Sequence, residues 1–174
     1  MRKRRKIDYI LKDGPDTSLI FRFYPRQSSC HSFGENPPTG WDDVYKVYYS
    51  YKIFERWDDG RRMRVVFDSG CDECSVIDEV SYRIQQIVKG VKTIKLGEPG
   101  DEKVISLLNS EILPFGYGVS WNISKRRGGG LYEIMLWNNN GTGYRFLLKK
   151  EKLREFGEYL NGCCEYMLAH GDPI

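Results

Sequence analysis

The chain has 174 residues, a formal net charge of +3 and an aromatic content of 14%. With 40% hydrophobic and 29% charged residues, the composition is that of a globular protein and excludes a fully disordered chain. The small net charge excludes a bulk acidic mimic of DNA. No apolar run reaches the roughly 18 residues that a membrane-spanning helix needs.

The first residues combine strong positive charge with a short apolar run. Residues 2–6 are all cationic, as at the start of a signal peptide. The apolar run that follows is interrupted at Asp8 and Lys12, which is too early for the hydrophobic region of such a peptide. We therefore expect a cytoplasmic protein in which the five cysteines are reduced thiols.

Two short β-like runs, at 7–12 and 17–24, come first among the predicted elements. The next segment, 25–43, is rich in Gly, Pro, Ser and Asn, and is long for a loop in a compact domain. Aromatic residues on such a loop are typical anchors of protein interfaces, so Phe33 and Trp41 are candidate partner contacts. The alternative is that Trp41 packs under its own loop and closes an edge of the core.

Alternating apolar and polar residues predict a strand with one buried face at 45–54. Asp58-Asp59-Gly60 is a hairpin signal that leads into a returning strand. The apolar residues predicted to face the core from that strand are Met63, Val65 and Phe67. An amphipathic helix follows, with a cap at Ser75 and a stop at Gly90.

The second half of the chain repeats this order of elements. Alternation predicts strands around 117–124, 132–136 and 144–148, and a long helix with one apolar face follows them. Between the halves, the sequence predicts a strand at 91–96 and a short helix at 101–109.

These elements predict an α+β fold in which antiparallel sheets are each covered by an amphipathic helix. Residues 1–90 and 91–174 are the two predicted half-domains, with separate cores or one shared core. The repeated order indicates either a duplicated β-meander-plus-helix unit or two local coincidences. Strands followed by a long helix also resemble the architecture of whirly-type single-strand binders, although no motif is shared and the long loop and inserted helix depart from that plan.

The spacing most similar to a site motif is Cys71-Asp72-Glu73-Cys74. A C-x2-C pair supplies two of the four ligands that zinc prefers, and Cys30 with His31 offers the remaining two. The simpler interpretation is a pair of loop thiols before a helix, with no metal. A catalytic thiol would need a histidine as its base, and the neighbouring carboxylates oppose a low thiol pKa.

Other catalytic patterns in the sequence are incomplete. Asp101-Glu102-Lys103 has the residue types of a metal-dependent nuclease but fits the acidic first turn of a helix. Gly128–Gly130 lacks the Lys and Ser/Thr of a phosphate-binding loop and fits a hairpin turn. We therefore predict a protein that is not an enzyme and that needs no metal and no cofactor.

A mixture of cations and one tyrosine is predicted on the sheet face opposite the core. Such a face can stack nucleobases and pair with phosphates. The candidate binding residues are Lys46, Tyr48, Lys52 and Arg56, with Arg62 and Arg64 on the same face of the paired strand, and Lys125, Arg126 and Arg127 in a later turn. The alternative is an ordinary solvated face on which Lys and Arg discourage edge pairing.

Two functions from different classes follow from these observations. The first is a non-catalytic inhibitor or modulator that binds a nucleic-acid-processing machine, as phage or mobile-element inhibitors of CRISPR nucleases do (anti-CRISPR-like). The second is direct binding of single-stranded or structured nucleic acid through the basic, tyrosine-bearing sheet face. An enzyme that uses Cys71 and Cys74 ranks last, and we expect no membrane partner.

Overall fold

The structure is a computed structural model that describes residues 7–25, 48–57, 60–70, 72–114 and 118–170. These ranges contain eleven strands and two helices, with five strands before the first helix and six more before the second. In chain order they are β1 (Ile7–Asp13), β2 (Thr17–Tyr24), β3 (Tyr48–Trp57), β4 (Arg62–Asp68), β5 (Asp72–Glu73), α1 (Cys74–Val88), β6 (Thr93–Leu96), β7 (Lys103–Ser106), β8 (Glu111–Ile112), β9 (Ser120–Lys125), β10 (Leu131–Trp137), β11 (Gly143–Lys149) and α2 (Lys150–His170).

The strands form two antiparallel meanders and one separate hairpin. In the first sheet the strand order is β1-β2-β3-β4, with the short β5 paired to β3. In the second sheet the order is β11-β10-β9-β8, and among the strands that the structure describes β6 pairs only with β7. These antiparallel sheets with two helices confirm the predicted α+β class.

The short helix predicted at 101–109 is wrong, because this segment contains the strand β7. Ile94 pairs with Ile105 across the β6–β7 hairpin. The hairpin turns between Glu98 and Asp101, where the amide of Asp101 donates to the carbonyl of Glu98 over 2.9 Å. The β-branched pair Val104 and Ile105 favours an extended backbone, and this preference outweighs the acidic residues that suggested a helix start.

Helix α1 begins one residue before the predicted cap and ends at Val88, two residues before the predicted stop at Gly90. Gly90 has a φ of 87°, a left-handed conformation that costs glycine little. Its amide donates to the carbonyl of Ile87, and the amide of Val91 donates to the carbonyl of Gln86, both over 3.0 Å. This pair of hydrogen bonds is the Schellman arrangement, which satisfies carbonyls that the helix end leaves free.

The inward faces of both sheets and the two helices contribute to one hydrophobic cluster. The ring of Phe21 on β2 lies 5.0 Å from that of Tyr51 on β3, 6.5 Å from that of Trp121 on β9 and 5.3 Å from that of Phe156 on α2. All four side chains are at most 1% exposed. The division into half-domains 1–90 and 91–174 stays a prediction about independent folding units.

The two helices cross where α2 carries a glycine. A Cβ atom added at Gly157 would lie 2.6 Å from Cγ2 of Ile84 on α1. The hydroxyl of Ser81 donates to the carbonyl of Gly157 over 2.9 Å. Close approach of the helix backbones therefore depends on the missing side chain at this position. Within the described ranges, neither helix has the length and apolar composition to cross a membrane.

Candidate binding surface on the first sheet

Four rows of side chains cross the outward face of the first sheet, which is the face opposite the shared core. Cross-strand partners in an antiparallel sheet lie on the same face, so the register defines each row. From one end of the strands to the other, the rows are Tyr24 and Ser50; Asp8, Arg22, Lys52 and Asp68; Ile10, Ile20, Phe54 and Val65; and Asp13, Ser18, Arg56 and Met63. We call the second the charge row and the third the apolar row.

The charge row contains two cations at its centre and one carboxylate at each end. Arg22 donates from Nε and Nη2 to the two carboxylate oxygens of Asp8, over 2.8 and 2.9 Å. This hydrogen bonding raises the pKa of Arg22, and the charge of Asp8 adds to the effect. Lys52 Nζ lies 3.7 Å from the carboxylate of Asp68. The row is therefore neutral as a unit.

The same cations also lie over aromatic rings of the outward face. The guanidinium carbon of Arg22 is 5.1 Å from the ring centroid of Phe54. Lys52 Nζ is 5.8 Å from the ring centroid of Tyr24. Cation–π contacts of this kind hold long side chains in place, and they join the charge row to its neighbours.

The apolar row is buried at its centre and open at its ends. Ile20 is 2% exposed between its cross-strand partners Ile10 and Phe54. Ile10 is 38% exposed and Val65 is 46% exposed, and Met63 in the next row is 40% exposed. Exposed apolar side chains beside charged ones are typical of a protein-contact surface, and here they lie at the two ends of the row.

The expectation that Arg62 and Arg64 share the face of Lys52 is wrong. The register of β3 with β4 passes from Ile53 opposite Phe67 to Phe54 opposite Val65, which leaves Val66 as an extra residue. Such a bulge shifts the alternation of side chains on its strand. The two arginines therefore lie on the opposite face, whereas Met63 and Val65, which we predicted in the core, lie on the outward face and are exposed.

Arg64 forms a local cluster on this opposite face. Its guanidinium donates to Glu55 over 2.8 Å and lies 5.4 Å from the ring centroid of Trp57. Tyr144 on β11 lies near this cluster. Burial and the charge of Glu55 raise the pKa of Tyr144, and the charge of Arg64 opposes this rise. The cluster therefore lies where the first sheet approaches the second.

The structure places Lys52 and Arg56 on the outward face and the remaining described candidates elsewhere. Lys125, Arg126 and Arg127 lie at the β9–β10 turn of the second sheet. Lys125 Nζ is 5.9 Å from the ring centroid of Tyr132. Arg126 forms an ion pair of 2.8 Å with Glu133. The two groups of predicted cations therefore belong to different sheets.

Several predicted site residues lie outside the described part of the chain. These are Lys46, Phe33, Trp41, Cys30, His31 and Cys71. For Tyr48 and Cys74 the structure describes the backbone and not the side chain. The zinc and thiol hypotheses therefore stay predictions, and among the described residues no group of three or more His, Cys, Asp and Glu has metal-binding geometry.

A buried chain of hydrogen bonds between three side chains joins the two sheets, and no pattern in the sequence predicted it. The indole nitrogen of Trp121 donates to the Tyr51 hydroxyl over 3.2 Å, and this hydroxyl donates to Oδ2 of Asp72 over 2.8 Å. All three residues are fully buried. Burial raises the pKa of Tyr51 well above its usual value, and the charge of Asp72 adds to the shift.

This buried chain has the geometry of a structural connection. A Cβ atom added at Gly118 would lie 2.6 Å from Oδ1 of Asp72, so the backbone closes over the carboxylate. Asp72 lies within the C-x2-C spacing, in which Cys71 and Cys74 suggested thiol chemistry. A buried carboxylate needs hydrogen-bond donors. The tyrosine at an inward position of β3, Tyr51, is the sequence signal that could have indicated a donor for Asp72.

The outward face thus combines a neutral charge row with a partly exposed apolar row, on strands fixed by an aromatic core. In comparisons with known proteins, the sequence matches no protein-family model and no curated protein.

Proposed function

We propose that this chain is a non-catalytic binding protein whose partner is another protein that docks on the outward face of the first sheet. The observation that carries the proposal is the apolar row, which ends in Ile10 and Val65 at 38% and 46% exposure. Burial of such side chains contributes about 25 cal/mol per Å² of apolar area removed from water, and this gain offsets the entropy cost of association.

The charges around the apolar row favour a protein over a nucleic acid. Phosphate binding draws its affinity from cations that are free to replace counterions. Arg22 and Lys52 each already have a carboxylate partner, Asp8 and Asp68. A mixed set of charges instead matches a mixed protein surface, where complementarity provides specificity more than affinity.

The proposed partner class is a nucleic-acid-processing machine, which the chain would inhibit or modulate as anti-CRISPR-like proteins do. Support for this narrower proposal comes from the sequence, where cations are concentrated at 2–6 and 125–127. Concentrated positive charge is attracted to nucleic acid, and the apolar row would contact protein. The non-catalytic part of the proposal is supported by the enclosure of the Asp72–Tyr51 pair.

The finer description of the fold belongs to the same proposal. Each half has a four-stranded antiparallel meander followed by a helix, β1–β4 with α1 and β8–β11 with α2. We infer a duplicated unit in which each helix has one apolar face. Superposition of the two halves tests this inference. If the strands of the two halves superpose but their helices then lie in different positions, the inference is contradicted.

Affinity capture with matched variants tests the proposed surface. Val65→Asp places a carboxylate in the apolar row, and Val104→Asp makes the same change at a 64% exposed position on β7. From a nuclease-treated bacterial lysate, we expect the wild type and Val104→Asp to retain the same protein and Val65→Asp to lose it. Equal retention by both variants would remove this face from the interface.

Direct nucleic-acid binding is the second candidate, favoured by the cations that lie over Phe54 and Tyr24. Aromatic rings with adjacent cations can stack bases and contact phosphates. A salt titration with single-stranded DNA, duplex DNA and RNA distinguishes the candidates. Submicromolar affinity that falls steeply with salt and with Lys52→Ala would support direct binding, and weak binding at low salt would exclude it.

A further inference from the structure

Strand β4 is an edge of the first sheet with a regular alternation of exposed side chains. Among the described strands it pairs only with β3. Residues 61–65 are all exposed, with Met63 and Val65 on the outward face and Arg62 and Arg64 on the opposite face. An exposed edge strand is a template on which another strand can form.

The backbone groups of β4 fit this role. The amide of Ser69 donates to the carbonyl of Tyr51 on β3, so the Asp68 carbonyl in the same peptide points away from β3. That carbonyl accepts a hydrogen bond of 2.6 Å from the side chain of Asn138, so the β10–β11 turn covers the edge at Asp68 and a new strand would pair with the exposed residues 61–65. Residues of an antiparallel strand point alternately toward and away from the partner, and the extra Val66 shifts this alternation by one.

Met63 and Val65 therefore direct both their side chains to the outward face and their N–H and C=O groups to the free edge. A strand added at this edge would form main-chain hydrogen bonds with these two residues. Its side chains opposite them would extend the apolar row by one strand. Its side chains opposite Arg62 and Arg64 would lie on the other face, next to the guanidinium groups.

We propose that the protein partner adds an extended strand to β4, in which apolar residues alternate with Asp or Glu. This inference rests on the proposed function and specifies the chemistry of its partner. The apolar residues match the outward face, and the carboxylates would lie next to Arg62 and next to Arg64, whose side chain is 64% exposed beside its present partner Glu55. Cross-strand pairs of opposite charge stabilise a sheet, and like charges directly opposite destabilise it.

The same charges argue against a second copy of this chain as the occupant. Antiparallel pairing of β4 with itself would match Met63 and Val65 with apolar residues. It would also place arginines opposite arginines on the other face. The alternation of Arg62 and Arg64 thus blocks self-association at the edge that an acidic strand can use.

Titration of isotope-labelled protein with a capped peptide of repeated Val-Glu units tests the inference. We expect amide shifts and slowed hydrogen exchange at Met63 and Val65, because their N–H groups acquire partners. A peptide of repeated Val-Lys units should have no such effect. Equal effects of the two peptides, or no change at β4 with millimolar Val-Glu peptide, would overturn the inference.

A charge reversal on the edge provides a second readout. Arg62→Glu should weaken binding of the Val-Glu peptide by about tenfold. The matched control is Arg145→Glu, because Arg145 is an exposed arginine on β11, which is the edge strand of the second sheet, and this variant should bind like the wild type. If Val65→Asp abolishes capture while the Val-Glu peptide leaves β4 unchanged, the outward face is the interface and strand addition is wrong.

Discussion

The two faces of the first sheet are formed by alternate residues of the same strands, yet they differ in how they are stabilised. On the inward face, Phe21 and Tyr51 are buried against rings from the second sheet and α2. On the outward face, opposite charges neutralise each other within two ion pairs, and the apolar row is only partly buried. The inward face therefore fixes the fold, and the outward face is the one that we propose as the binding surface.

The largest expected difference between the faces concerns two phenylalanines. Phe21→Ala removes a ring that is 0% exposed, and we expect the free energy of unfolding to fall by about 3–5 kcal/mol. Phe54→Ala removes a partly exposed ring from the apolar row and should cost about 1 kcal/mol. Chemical denaturation measures both values, and similar losses would contradict the distinction between the faces.

The glycines of α2 extend this comparison to a helix. Gly157→Ala places a methyl group 2.6 Å from Cγ2 of Ile84 and should lower the free energy of unfolding by about 1–3 kcal/mol. Gly162→Ala meets no atom within 4 Å and should raise it by about 0.5–1 kcal/mol. Thermal melts of the two variants should shift in opposite directions, and shifts of the same sign would place the helix crossing elsewhere.

Removal of the Tyr51 hydroxyl tests the polar part of the inward face. Tyr51→Phe keeps the ring but takes one hydrogen-bond donor from Asp72 and one acceptor from Trp121. We expect a loss of about 1–3 kcal/mol, because the buried Asp72 carboxylate loses a donor and the buried indole N–H of Trp121 loses an acceptor. Unchanged stability in equilibrium unfolding would show that Asp72 obtains sufficient hydrogen bonds from other groups.

Alkaline pH should weaken the inward face. In the folded state burial and the charge of Asp72 raise the pKa of Tyr51, so the folded chain holds a proton that the unfolded chain releases above about pH 10. Stability is therefore complete below that pH and is lost as the pH rises. Unfolding measured between about pH 8 and 11 should show a smaller loss in Tyr51→Phe, by about 1.4 kcal/mol per pH unit once the pH exceeds about 10.

The smallest effect is expected for the charge row. Asp8→Asn removes the ion pair with Arg22, whose partners are 40% and 18% exposed in their side chains. We expect a loss of about 0.2–1 kcal/mol that decreases with added salt. Denaturation at low and high ionic strength measures the effect. A loss of the size expected for Phe21→Ala would show that the outward face also determines the fold.

The sequence predicted those parts of the fold that depend on neighbours along the chain. The strands at 7–12 and 17–24 follow from short runs of β-favouring residues, and the stop of α1 before Gly90 follows from the conformational freedom of glycine. The separate hairpin β6–β7 was missed because the acidic residues at 101–102 favour a helix start and the strand pairing at Ile94 and Ile105 is not visible locally.

The candidate surface was harder to predict because it depends on contacts across strands. Lys52 and Arg22 are separate cations in the sequence, and only the register shows that Asp68 and Asp8 neutralise them. The extra residue Val66 reverses the face of Arg62 and Arg64 without any change in local alternation. A period-2 pattern identifies a strand but does not contain the position of a bulge.

The contacts of Phe21 and Tyr51 with Trp121 and Phe156 have a consequence for protein synthesis. A ribosome produces the first sheet long before it produces β9 and α2. Until those later segments emerge, the aromatic face of the nascent sheet lacks its packing partners Trp121 and Phe156 and is exposed to water or chaperones. Completion of the native structure must therefore wait for the late part of translation, and truncated nascent chains should be prone to aggregation.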